Sequence, residues 1–194
     1  MEWLTLLWLP IVVAAVVCFI ASALAWTVLP HHNKDVLPFA NPQHFKDLAQ
    51  PDGAESVKPG VYMFPHQHNM SAEDETSKTM IKEGPWGTVN IWPAQPQMGP
   101  KLAASLGVFL FVTFLVAYVA AESLLEDAQG DIEPISSLRV FQLTTTVAVM
   151  AYTCGWMLNA IWFGKPLRQW LTDGVDGLAY GLITGATFAI LWPS

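Results

Sequence analysis

Four apolar stretches divide the chain, at residues 4–29, 102–121, 140–163 and 175–192. Their interiors lack Asp, Glu, Lys, Arg and His, apart from Asp176 at the start of the fourth. At about 1.5 Å per helical residue, each run is about long enough to cross a hydrocarbon core of roughly 30 Å. Lipid offers the backbone no hydrogen-bond partners, so apolar runs of this length must be helical. The pattern predicts an all-α membrane protein built as a four-transmembrane-helix bundle. The first stretch begins without a basic leader region and is too long for a signal-peptide core, so it is expected to be retained.

Between the first two stretches the pattern changes. Asn41-Pro42 reads as a helix N-cap followed by Pro at the first helical position, opening a short helix to about Ala49. Val61–Phe64, bounded by Pro59-Gly60 and Pro65, is a strand candidate, as is Thr88–Trp92. Ser71 with Asp74 resembles a reduced capping box for a helix from Ala72 to about Lys82, stopped by Gly84-Pro85. The expected organisation is transmembrane helix 1 at residues 1–29, a small α+β extramembrane cap at 30–100, and helices 2–4 at 101–194.

Composition agrees with a membrane setting: 53% of residues are hydrophobic and 13% charged, the latter about half the usual soluble share. Trp3, Trp8, Trp26, Trp162, Trp170 and Trp192 fall near predicted helix ends, where indole suits the membrane interface, while Trp156 is expected deeper. Lys34, Lys101, Lys165 and Arg168 flank the membrane on one side and Arg139 on the other. The positive-inside rule then puts residues 30–100 in the cytoplasm and both termini outside a bacterial inner membrane. Glu122, Glu126, Asp127, Asp131 and Glu133 make the outer loop acidic.

Helices associate in lipid by close packing, so small residues mark contact faces. Gly177, Gly181 and Gly185 form a doubled small-xxx-small stripe on the fourth helix. Ala14, Cys18, Ser22 and Ala25 line one face of the first, and Ala103, Ala104 and Gly107 open the second. Thr144, Thr145, Thr146, Thr153 and Asn159 on the third are expected to point inward. Cys18 and Cys154 read as small buried residues, not as metal ligands or a disulfide. An ionisable residue deep in the membrane would suggest an ion or proton path, and paired Gly/Pro breaks a transporter site. The stretches show neither, with Pro10 lying alone near one helix end, so a self-contained ion transporter is disfavoured.

Five histidines remain: His31, His32, His44, His66 and His68, all between the first two stretches. With Met63, Met70 and Asp35 nearby, His31, His32, His66 and His68 are candidate ligands for copper, zinc or iron. No Cys/His framework supports them. The expectation is no stoichiometric metal, no cofactor and no catalytic residue, since neither a phosphate-binding glycine loop nor a nucleophile elbow occurs. Lys165 and Arg168 beside Trp162 and Trp170 make a basic-aromatic rim suited to anionic lipid headgroups.

The segment from Asn159 to Gly174 (NAIWFGKPLRQWLTDG), with the Gly177-rich helix after it, resembles the last part of a bacterial family of small four-helix integral membrane proteins of unknown function. Ala23–Trp26 leading into Leu29-Pro30 is similar to that family's first helix end. The resemblance implies a fold and no site residues, and the cap is an enlargement of the loop usual there. The function expected is a non-enzymatic accessory or structural subunit. Its expected partners are the bilayer and other membrane-protein subunits or copies of itself, not nucleic acid. The alternatives are a metal-handling protein using these histidines and a lipid-handling protein using the rim.

Overall fold

The computed structural model describes residues 2–50, 56–66, 75–125 and 135–193. The chain divides into two compact units, one of residues 1–36 with 98–194 and one of Leu37–Gln97.

The first unit is helical. It contains α1 (Glu2–Thr27), α4 (Met98–Ala120, continued by a π turn over Ala121–Leu125), α5 (Ser137–Trp162) and α6 (Leu167–Leu191). Trp3–Thr27, Met98–Leu125 and Leu167–Leu191 are long and apolar enough to cross a membrane. α5 is as long as α1, at 26 residues each, but Gln142, three consecutive threonines and Asn159 make it more polar. α1 packs against α4 and α6, and α5 packs against the same two helices. Leu7, Ala14, Val116, Ala120, Val140, Ala148 and Phe188 fill the space between them, each at most 1% exposed.

Neighbouring helices run antiparallel. Trp3 meets Tyr118 while Ala15 and Cys18 share a buried cluster with Phe109, and the Thr113 hydroxyl donates to the Ile11 carbonyl at 3.1 Å. α5 is capped at its start by the Ser136 side chain, which accepts from the Arg139 N–H. It ends in a left-handed glycine, Gly164, at φ +62°. Gly164 N–H then donates to Ile161 O at 3.3 Å and Lys165 N–H to Ala160 O at 3.0 Å. This pair of bonds is the Schellman arrangement, in which a residue without Cβ takes the left-handed position. Pro166 follows as the cap of α6, so the four residues between Trp162 and Leu167 reverse the chain and set α6 against α5.

α6 starts at Leu167, about two turns before the apolar stretch from residue 175. A search for apolar runs misses a polar first turn, so Asp176 lies in the third turn of the helix and not at its start. Two of the threonine-rich helix's polar groups also differ from expectation. Thr146 and Asn159 are exposed, and the Thr146 hydroxyl bonds to the Gln142 carbonyl of its own helix at 2.7 Å, so it needs no inward partner. Cys154 is likewise exposed, whereas Cys18 is buried. Trp156 is half-buried and donates to the Tyr152 carbonyl.

The second unit contains α2 (Pro42–Ala49), β1 (Gly60–Phe64), α3 (Glu75–Glu83) and β2 (Gly87–Ile91). Asn41 caps α2 by accepting from Gln43 N–H at 3.1 Å. The strands pair antiparallel, with Gly60 opposite Ile91 and Phe64 opposite Gly87. Gly87 has a local reason: a Cβ there would lie 2.9 Å from the Phe64 ring. Ser71 and Asp74 lie outside the described residues. Residues 30–36, expected with the cap, cluster with the helices, because their side chains are bonded to α6.

Candidate functional site: a His–Asp–Arg cluster

α1 ends at Thr27, and Pro30, with its φ preset for a helical turn, opens a single 3-10 turn over Pro30–His32. The turn continues with Asp35 N–H donating to His32 O at 2.9 Å. Consecutive residues His31 and His32 thereby turn both rings toward α6. On α6, Arg168, Thr172, Asp176 and Tyr180 recur every four residues and share the face they meet.

Asp176 is the centre. His31 Nε2 lies 2.9 Å from its Oδ1, and His32 Nε2 lies 3.0 Å from its Oδ2. The Tyr180 hydroxyl donates to Oδ2 at 3.0 Å. Asp35 forms a second layer. Its Oδ2 is 2.6 Å from His32 Nδ1 and accepts from the Thr172 hydroxyl at 2.8 Å. Arg168 donates to Asp35 Oδ1 and to the His31 carbonyl. The Trp26 ring stacks on His32 with centroids 3.9 Å apart and planes 3° from parallel, fixing the imidazole plane.

The side chains of His32 and Asp35 are almost completely buried, at 3% and 1% exposed, while His31 keeps 27%. Burial by itself would lower the His32 pKa, but its bonds to Asp176 and Asp35 outweigh this and raise it. Burial would raise that of Asp35, but the bonds from His32 and Thr172 and the Arg168 charge hold it below the usual carboxylate value. His31, Thr172, Asp176 and Tyr180 also line a groove of about 420 Å³ between α1 and α6. Its remaining walls are apolar, including Ala21, Ala25, Leu171 and Ala179. The cluster therefore ties the chain after α1 to α6 and gathers three metal-ligating side chains beside an open groove.

Of the sequence candidates, His31 and His32 come together here. His66 lies in the other compact unit and is exposed; His68 lies outside the described residues. Arg168 of the expected lipid rim is engaged by Asp35, and Lys165 sits 3.9 Å from Asp173. Trp162 is 79% exposed. Trp170 turns its indole nitrogen inward, buried with no hydrogen-bond partner among the described residues. The glycine stripe lies on another face of α6, against α5. A Cβ at Gly177 would meet Thr153, at Gly181 Val149, and at Gly185 Thr145, each within 2.6 Å of a side-chain atom.

Sequence reasoning noted Asp35 beside the histidine pair but missed Thr172, Asp176 and Tyr180 as members of a site. The legible signal was the four-residue recurrence from Arg168 to Tyr180 together with an acid inside an apolar stretch. Comparison of the chain with protein-family models, with curated proteins and with solved structures finds no match.

Proposed function

We propose that the protein is a non-enzymatic integral membrane protein, crossing a bacterial inner membrane with four helices and acting as an accessory or structural subunit. The observation that carries this reading is the exposed polar surface of α5. Its 26 residues have spanning length, yet the polar or thiol side chains of Gln142, Thr146, Cys154 and Asn159 are all exposed at points along it. Amide groups are poorly matched to lipid, and polar side chains bond readily across helix–helix contacts. A second membrane protein, or another copy of this chain, covering α5 accounts for a helix that is long enough to span but less apolar than its neighbours.

Cys154 provides the test, because it is exposed on α5 while Cys18 is buried. Thiol crosslinking in native membranes, followed by native mass analysis after gentle extraction, is expected to capture a second polypeptide on α5. A chain that remains single, with lipid alone attached, would overturn the reading.

The proposed orientation has both termini outside and residues 30–100 in the cytoplasm, supported by Lys34, Lys101, Lys165 and Arg168 against Arg139. In a Cys154→Ser background, Ser194→Cys is expected to react with an impermeant reagent on intact spheroplasts and Ser56→Cys to be protected. The opposite labelling would invert the topology.

A further inference from the structure

His31, His32 and Asp176 each offer a ligand atom, and these atoms lie within 4.8 Å of one another. We infer that these three side chains form a binding site for one divalent first-row transition-metal ion, with Asp35 orienting His32.

The first support is donor geometry. Both imidazoles present Nε2 to the same carboxylate, at 2.9 and 3.0 Å. Zinc–ligand bonds of about 2.0–2.2 Å in a tetrahedron set neighbouring donors about 3.3 Å apart. His31 faces Oδ1 and His32 faces Oδ2, so each pair opens by about 0.3–0.4 Å when the ion takes both carboxylate oxygens, with the three ligand groups already within 4.8 Å of one another. His31 is partly exposed, so its ring can make that adjustment without disturbing the packed core.

The second support is the position of His32 between two carboxylates. Its nitrogens face Asp35 through Nδ1 and Asp176 through Nε2. An imidazole that gives its Nδ1 proton to Asp35, at 2.6 Å, keeps Nε2 for a cation shared with Asp176. Metal-ligating histidines commonly give their other N–H to a carboxylate, which fixes the tautomer and ring orientation. Asp35 is itself held by Thr172 and Arg168, and the Trp26 ring fixes the plane of His32. The competing arrangement places a second proton on His32 and holds no metal.

The third support is access. His31 and Asp176 line the α1–α6 groove, which leaves a side open for the ion and for a water or other ligand completing its coordination. Two nitrogens and a carboxylate, without thiolate, suit Zn²⁺, Fe²⁺ or Co²⁺. They do not suit Ca²⁺, which takes oxygen ligands, or Cu⁺, which favours sulfur.

The test uses the full-length protein in detergent, stripped with a chelator and reloaded with Zn²⁺ alone or Co²⁺ alone. The expected result is one equivalent of Zn²⁺ retained after desalting, and Co²⁺ absorption bands of a low-symmetry nitrogen–oxygen site. His31→Ala should weaken binding at least about tenfold, and Asp35→Asn by about 10–100-fold. The double variant His66→Ala, His68→Ala should keep the full equivalent. Wild type that retains no more Zn²⁺ than His31→Ala, or an equivalent lost only in the His66, His68 variant, would overturn the inference. If His31→Ala does not fold, the Co²⁺ spectrum of wild type decides alone: fully hydrated Co²⁺ means no site.

Discussion

α6 meets its two neighbours by different means. Against α5 it presents Gly177, Gly181 and Gly185, and an added Cβ at any of them would strike a side chain of α5. Against α1 it touches closely near Cys18, whose sulfur lies 3.5 Å from the Thr184 hydroxyl. Toward the Asp176 end it leaves a groove of about 420 Å³. There the two segments are joined not by interlocking surfaces but by Asp176, Asp35 and two imidazoles. Where backbones must approach closely, small residues and dispersion hold the helices. Where the helices diverge, charged and polar groups in a nearly dry setting replace that contact, and each depends on its partner being present.

That contrast can be broken most forcefully at Asp176. Asp176→Ala leaves the buried His32 ring, the partly exposed His31 ring and the Tyr180 hydroxyl without their shared partner. The expected cost is about 3 kcal/mol or more, the usual scale for removing one partner of a buried charged contact. Thermal unfolding in detergent measures it, and an unchanged midpoint would mean that the polar seam does not hold α1 to α6.

The close-packed seam should respond to size instead of charge. Gly181→Leu places its first side-chain carbon 2.3 Å from Val149 Cγ2 and 3.0 Å from the Val149 backbone nitrogen. Backbone cannot rotate away, so a loss of about 1–3 kcal/mol is expected. Gly107 on α4 has nothing within 4 Å of such a carbon. Gly107→Ala should therefore be neutral, or stabilising by up to about 1 kcal/mol through helix propensity. Equal melting of the two variants would show that the stripe is not a packing surface.

The smallest effect is expected in the groove. Ala179 lines it and is exposed, so Ala179→Leu should change stability by no more than about 0.5 kcal/mol. A loss as large as that of Gly181→Leu would mean that the space is already filled by another chain or by lipid.

Much of this architecture was legible beforehand. The two strands of the second unit appear within a residue of their expected positions, and Asn41-Pro42 begins its helix as read. Those features rest on local rules: the fixed φ of proline, a capping amide, a β-branched run between breakers. The start of α6 was misplaced, because a helix can begin in polar sequence when its first turns are held by tertiary bonds. Thr146 and Asn159 were assigned to the interior by polarity alone, although a threonine hydroxyl satisfies itself on its own helix.

The sequence by itself determined the long helices, most of their ends and the glycine stripe, because each follows from periodicity, length and the side chain's own chemistry. Tertiary structure alone decided that His31 and His32 face Asp176, some 145 positions away in the chain. Two imidazoles after a long apolar helix have no local rule to say where they turn. Their direction is set by a 3-10 turn, by the antiparallel placement of α6, and by the requirement that buried carboxylates find partners.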